Sequence, residues 1–329
     1  MAQTHKDWIA LASEGARLSS TEATQLESLL AAGREDLDTR AKLIGYNLFR
    51  SDRHEARLHE HILWLISHHP ESELLRVCDI SRSKHPDVYD QAHALWQRVL
   101  EQRPCDMLVW RQAFEFHFRF DRDFCDLIVD QILAVQPDSV YWHARRGALY
   151  AFHQCERPDV AVGIRAYRRA CEMARPGEQR FDCLIALARL CLEVDPELAE
   201  KSVISAGQEH VRRVDARTYG MHHGNITLGR LCLRRGNVEH AKIYLAWAAR
   251  LRGRSSVLAS FGPDLQLASE LLEVGERSAV IEYLKACEQI APMNLPIYSE
   301  WRHKLESGKA LELPMTMLPL AAVWEPDPG

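Results

Sequence analysis

Apolar residues recur at spacings of three and four along almost the whole chain, while the apolar–polar alternation of a half-buried strand is scarce. Segments such as "AHALWQRVLEQRP", "CDLIVDQILAVQP" and "VIEYLKACEQIAP" each carry an apolar stripe on one helical face and end at a proline, which cannot continue a helix. The pattern predicts an all-α chain. Pro70, Pro104 and Pro137 follow one another at intervals of 34 and 33 residues, each five positions after an apolar residue: Leu65, Val99 and Ile132. A fixed period in a helical chain signals stacked helix pairs, because one pair cannot bury its apolar face alone.

A small residue returns near the middle of the first helix of several pairs: Gly45 in "LIGYNL", Gly147 in "RRGALY", Gly229 in "TLGRLC" and Ala268 in "QLASEL". A mid-helix glycine costs about 1 kcal/mol relative to alanine, so its recurrence at one register implies close helix packing. These positions resemble the tetratricopeptide repeat, W-x2-L-G-x2-Y followed by A-x3-F-x2-A and a terminal proline. The fullest match has Leu228 and Gly229, Cys232 in the tyrosine place, Gly236 and Asn237 at the turn, then Ala241, Leu245 and Ala248. A second joins Gly147 and Tyr150 to Gly163, Tyr167 and Ala170; a third runs from Leu267 and Ala268 through Leu271, Gly275, Val280, Leu284 and Cys287 to Pro292. Trp110 takes the leading tryptophan place of its own repeat.

The resemblance implies a right-handed superhelical solenoid of antiparallel helix pairs, with about seven repeats at 38–72, 73–106, 107–139, 140–178, 179–215, 222–255 and 256–294. In the second repeat "ESELLRVCDISRSKHPDVY" is interrupted by Ser, Lys and Pro86, so its first helix is expected to be short. Residues 1–37 read as N-terminal capping helices, with Ser19 and Glu22 spaced as a capping box before a helix ending near Gly33. Residues 295–308 read as a closing helix, and 309–329 as an extended, proline-rich apolar tail able to dock on the protein's own groove or on a partner.

Composition narrows the function. The chain has 329 residues, 41 Lys plus Arg against 46 Asp plus Glu, and so lacks the net positive charge of a nonspecific nucleic-acid binder. No apolar run reaches the ~18 residues needed to span a bilayer, and "MAQTHKDWIA" has no apolar leader region; a cytoplasmic protein is expected. Nine cysteines without a C-x-x-C pair read as buried thiols. His222 and His223 are adjacent and diverge by about 100° around a helix, which suits no shared metal. His54, His59, His61, His68 and His69 contain no pair at a spacing of three or four and read as an exposed helix stripe. No P-loop, G-x-S-x-G or H-E-x-x-H occurs, and "SFGPD" at Ser260–Asp264 reads as helix initiation, so neither catalytic residues, metal ligands nor a cofactor are assigned.

Recognition remains. In tetratricopeptide arrays the first helices line a concave groove, and the corresponding positions here are Lys42, Tyr46, Phe49, Arg50, Arg111, Glu115, Phe118, Arg119, Tyr141, Arg189, His223, Arg230 and Arg234, with Leu265 and Ser269 at two further places. The resemblance implies a non-catalytic module whose arginines grip the carboxylates of a protein or peptide partner, with the aromatics as anchors and without nucleic acid or membrane. The carboxylate clamp of chaperone-binding members is incomplete, because Tyr46 stands where asparagine is expected. Two other classes stay open: a peptide-sensing transcriptional regulator, whose "TEATQLESLLAAG" lacks the basic residues of a recognition helix, and an enzyme or metal protein on a helical-repeat scaffold.

Overall fold

The computed structural model describes residues 8–33, 36–48, 54–104, 106–152, 160–251 and 254–314, and these form seventeen α-helices with no strand. They fall into two compact units, residues 1–135 and 136–329. In the first unit α1 (Trp8–Gly15) and α2 (Ser20–Ala31) pack on α3 (Leu37–Leu48), which is followed by α4 (Glu55–His68), α5 (Pro86–Gln102), α6 (Met107–His117) and α7 (Arg122–Val135). The second unit contains α8 (Val140–Phe152), α9 (Val160–Met173), α10 (Glu178–Cys191), α11 (Pro196–Gly207), α12 (Val214–Arg234), α13 (Val238–Ala249), α14 (Ser256–Phe261), α15 (Gln266–Glu273), α16 (Arg277–Ile290) and α17 (Leu295–Glu306).

Local chemistry sets many of these boundaries. Ser19 Oγ accepts the Glu22 N–H while the Glu22 carboxylate accepts from the Ser19 backbone, the reciprocal cap expected at the start of α2. Only a single 3-10 turn, Glu73–Arg76, precedes α5, which begins on Pro86, a residue whose missing N–H costs nothing at the first turn. The buried residues of α5, Tyr89, Ala92, Trp96, Val99 and Leu100, follow the helical stripe. Trp96 is entirely buried, and complete burial of one large apolar side chain stabilises a fold by about 2–3 kcal/mol.

Neighbouring helices pack on one another within each unit. A Cβ added at Gly45 would overlap the backbone carbonyl of Ala12, so α1 and α3 approach backbone to backbone there. At Gly147 and Gly229 the gap is filled by side chains: the Tyr167 ring covers Gly147, while Leu267 and Tyr244 cover Gly229. In the second unit Ile226, Ala241, Leu245, Leu267, Leu271, Leu284 and Cys287 belong to one core shared by α12, α13, α15 and α16. Leu313, with Leu311 beside it, joins that core, so the described start of the tail is tucked onto the protein; residues 315–329 lie outside the described residues.

Two expectations change. The helix carrying His222 and His223 begins at Val214 rather than near 222 and runs for 21 residues, so the sequence between the fifth and sixth expected repeats is helix rather than connection. The first helix of the last expected repeat, α15, starts just after "SFGPD" as expected, and the short α14 ends ahead of it at Gly262, whose φ of 86° lies where side-chain-bearing residues are strained. The histidines of α4 are not one exposed stripe: His59 and His61 are buried, and His61 bridges Glu27 (3.0 Å) and Arg40 (3.2 Å), joining α2, α3 and α4. Among the described residues no disulfide is formed, and no helix is long and apolar enough to cross a membrane.

Candidate functional site

The residues proposed from sequence for a groove do not share one environment. Phe49 and Arg50 lie outside the described residues. In the first unit Phe118 is buried rather than presented to a partner, because it ends α6 against Phe114, while Tyr46 packs half-buried beside Ala23, Leu30 and Leu43. Arg111 and Glu115 are half-buried; Lys42 lies 3.2 Å from Glu14. Arg119, whose side chain is 65% exposed, lies 3.5 Å from Asp79, a surface pair of the kind worth little. In the second unit Tyr141 is half-buried against Trp142.

Four of the remaining residues, Arg189, His223, Arg230 and Arg234, meet in the second unit around two acidic centres. The first is Asp264, in the break between α14 and α15. Its backbone N–H donates to Nε2 of His222 (3.0 Å), its carbonyl accepts the Tyr283 hydroxyl (2.7 Å), and its Oδ1 accepts the Gln266 N–H (3.0 Å). Oδ2 lies 3.4 Å from Nδ1 of His223 and 3.8 Å from the Arg189 guanidinium, which also donates to Tyr219 Oη (3.4 Å). Since Nε2 of His222 accepts, its Nδ1 carries the proton and donates to Ala248 O (2.9 Å). Asp264 is thereby tied to α10, α12 and α16, and through His222 to α13.

The electrostatics follow from this geometry. Burial works to raise the Asp264 pKa, but His223, Arg189 and the Gln266 N–H outweigh it and hold the carboxyl well below the usual carboxylate range. Burial, reinforced by the Arg189 charge, pushes His223 down to about 3, so the cluster contains an ionised Asp264 facing Arg189 and a neutral His223. Both imidazoles are fully buried, which removes His223 from the groove expected for it. Asp264 does initiate a helix, as "SFGPD" suggests, yet its second oxygen makes it a structural hub, and nothing in its local sequence reveals the partners across the fold.

The second centre joins Arg230 and Arg234 to internal acids. Arg230, 14% exposed, donates to Glu270 (2.7 Å), Gln266 (2.8 Å) and Glu193 (3.0 Å). Arg234 donates to Leu192 O (2.7 Å) and to the same Glu193 carboxylate. Hydrogen bonding to Glu270 and the charges of Glu270 and Glu193 raise the Arg230 pKa against the opposing effect of burial. These arginines are therefore already bonded at the surface where a partner's carboxylates are expected. Glu193 is the accessible member, with its side chain 61% exposed just beyond α10.

No family model matches the chain, and no curated protein matches it. One further cluster lies in the first unit, where His93, His117 and Asp121 place one potential donor atom each within 4.8 Å of the others. His93 and His117 come from different helices, so helical spacing along the sequence does not reveal the group.

Proposed function

We propose that the chain is a non-catalytic scaffold of tetratricopeptide-like helix pairs, arranged as a right-handed array, that binds a protein or peptide carrying carboxylates. The observation that carries this reading is the use made of the small positions. Gly147 on α8 receives Tyr167 of α9, Gly163 on α9 lies against Tyr150 of α8 and Leu190 of α10, and Gly229 on α12 lies against Tyr244 of α13 and Leu267 of α15. Gly147 thus serves a contact within its pair, while Gly163 and Gly229 serve contacts both within a pair and to the next helix pair, which supports a core propagated from pair to pair as in a repeat array.

The arginine centre supports the chemistry of the partner. Glu193 stands where an incoming carboxylate would bind: it is exposed and accepts from both Arg230 and Arg234. Exchange of one carboxylate for another conserves the charge-assisted hydrogen bonds, so a partner would displace an exposed side chain at small cost. The Asp264 cluster, buried on every side, supports a holding role for the helices beneath that surface.

Affinity capture from the native cell followed by mass spectrometry tests the proposal, using the full chain, Arg234→Gln and Glu193→Ala. Partners should be captured by the wild type, lost by Arg234→Gln and enriched by Glu193→Ala. Equal capture by all three would exclude this surface. Arg230→Glu is a poor probe, because it places a third carboxylate beside Glu270 and Glu193 and threatens the fold itself.

A further inference from the structure

His93 lies on α5, His117 is the last residue of α6, and Asp121 stands in the turn just before α7. His93 Nδ1 is 3.6 Å from Asp121 Oδ2, too long for a hydrogen bond, and has no hydrogen-bond partner among the described residues. The His117 ring is 0% exposed; Nδ1 is 2.7 Å from the Tyr89 hydroxyl, while Nε2 has no partner among the described residues. An unpaired polar atom in a fully buried ring is costly, and folded proteins usually avoid one.

We propose that His93, His117 and Asp121 bind a divalent transition-metal cation, of which zinc best suits two imidazoles and one carboxylate. Ligand atoms around a tetrahedral zinc lie about 3.3 Å apart for bonds of about 2.0–2.1 Å. The 3.6 Å between His93 and Asp121 is close to that value, and a set within 4.8 Å closes on a cation by side-chain adjustment of about 1 Å.

The surroundings prepare each ligand. Tyr89, one helical turn before His93, fixes the His117 ring through Nδ1 and leaves Nε2 for the cation. Asp121 Oδ1 accepts the Phe124 N–H (3.0 Å) at the start of α7, so the carboxylate is oriented with Oδ2 toward His93. Phe124 lies against both imidazoles, at 4.4 Å from the His93 ring and 4.8 Å from that of His117. His93 and Asp121 are only partly buried, so the cation would be reached from solvent, with the fourth position open to water or to a partner's side chain.

The test uses the full chain, stripped with chelator and titrated with Zn2+ alone by calorimetry, and with Co2+ alone by visible absorption. Expected are one equivalent of Zn2+ and a Co2+ spectrum of nitrogen and oxygen ligation. His93→Gln and Asp121→Asn, which retain polarity and, in the second, the helix cap, should each weaken binding at least tenfold with unchanged far-ultraviolet circular dichroism. Tyr89→Phe should weaken it by about 10- to 100-fold, as loss of an orienting partner does. Absence of stoichiometric binding by the wild type, or binding undiminished in both His93→Gln and Asp121→Asn, would overturn the proposal.

Discussion

Replacing Asp264 by alanine measures how much the buried polar cluster holds the second unit together. The substitution removes the bond to the Gln266 N–H at the start of α15, worth about 1 kcal/mol as a helix-start interaction. It also leaves Arg189 without its acidic partner at 3.8 Å and His223 without the carboxylate at 3.4 Å. Breaking a buried pair by removal of one member costs about 3–5 kcal/mol. Arg189 is slightly exposed and keeps Tyr219, which places the expected loss at the low end, for a total of about 4 kcal/mol. The backbone bonds to His222 and Tyr283 survive, so the local chain path should persist. Asp264→Asn retains the shape and an acceptor for Gln266 but not the charge, and should cost about 2 kcal/mol. Because the chain has two units, one global unfolding curve would mix them; amide hydrogen exchange across Val214–Arg234 and Gln266–Glu273 reads the affected helices directly. Protection in Asp264→Ala within about 1 kcal/mol of wild type would refute the assignment of Asp264 as a hub.

The remaining predictions concern pH and close packing. His223 has a folded pKa of about 3, below the unfolded value of about 6.5, so the unfolded chain takes up the proton first: stability is full above about pH 6.5 and falls toward pH 3, by about 2 kcal/mol between pH 7 and 5. Asp182 has the opposite sign, since burial, with Arg213 opposing and Glu178 adding, raises it to about 7, above its unfolded value of about 3.9; its contribution is full below about pH 4 and is lost as pH rises through about 7. Urea titrations followed through exchange of the second-unit amides should therefore show Asp182→Asn more stable than wild type by about 4 kcal/mol at pH 8 and nearly equal to it at pH 4, and no such pH dependence of the difference would contradict the assignment. Gly45→Ala, which sets a methyl against the Ala12 carbonyl, should destabilise the first unit by about 2–3 kcal/mol and hasten proteolysis within α1; amide protection of α1 and α3 equal to wild type would show that α1 does not pack as described.

The elements were largely legible in the sequence because the signals that make them are local. Periodicity placed the helices, and Ser19 with Glu22 the start of α2; Gly45 signalled a close helix approach without naming α1 as the partner, and Pro86 was legible as an interruption but not as the start of α5. The limits of the same reasoning show at α12, where no break signal separates 214–221 from the segment that follows, and at α4, where spacing alone could not tell that His61 turns inward between Glu27 and Arg40. Among the residues chosen for recognition, periodicity could put Arg230 and Arg234 on one helix face but could not supply what lies opposite them.

What the sequence by itself determined is the all-α character and the apolar stripes, since burial of an apolar face depends only on residue type and helical period. What only the tertiary structure decided is the fate of the charged and titratable residues. Asp264 lies 41 residues from His223 along the chain, and Glu193 lies 37 residues from Arg230, yet these distances determine which groups are paired and which are exposed. Placing a charge or an imidazole inside a protein is costly until specific partners surround it, and those partners arrive from other helices. For the same reason His93, His117 and Asp121, unremarkable in sequence, become a candidate metal centre only when α5, α6 and the turn before α7 bring them together.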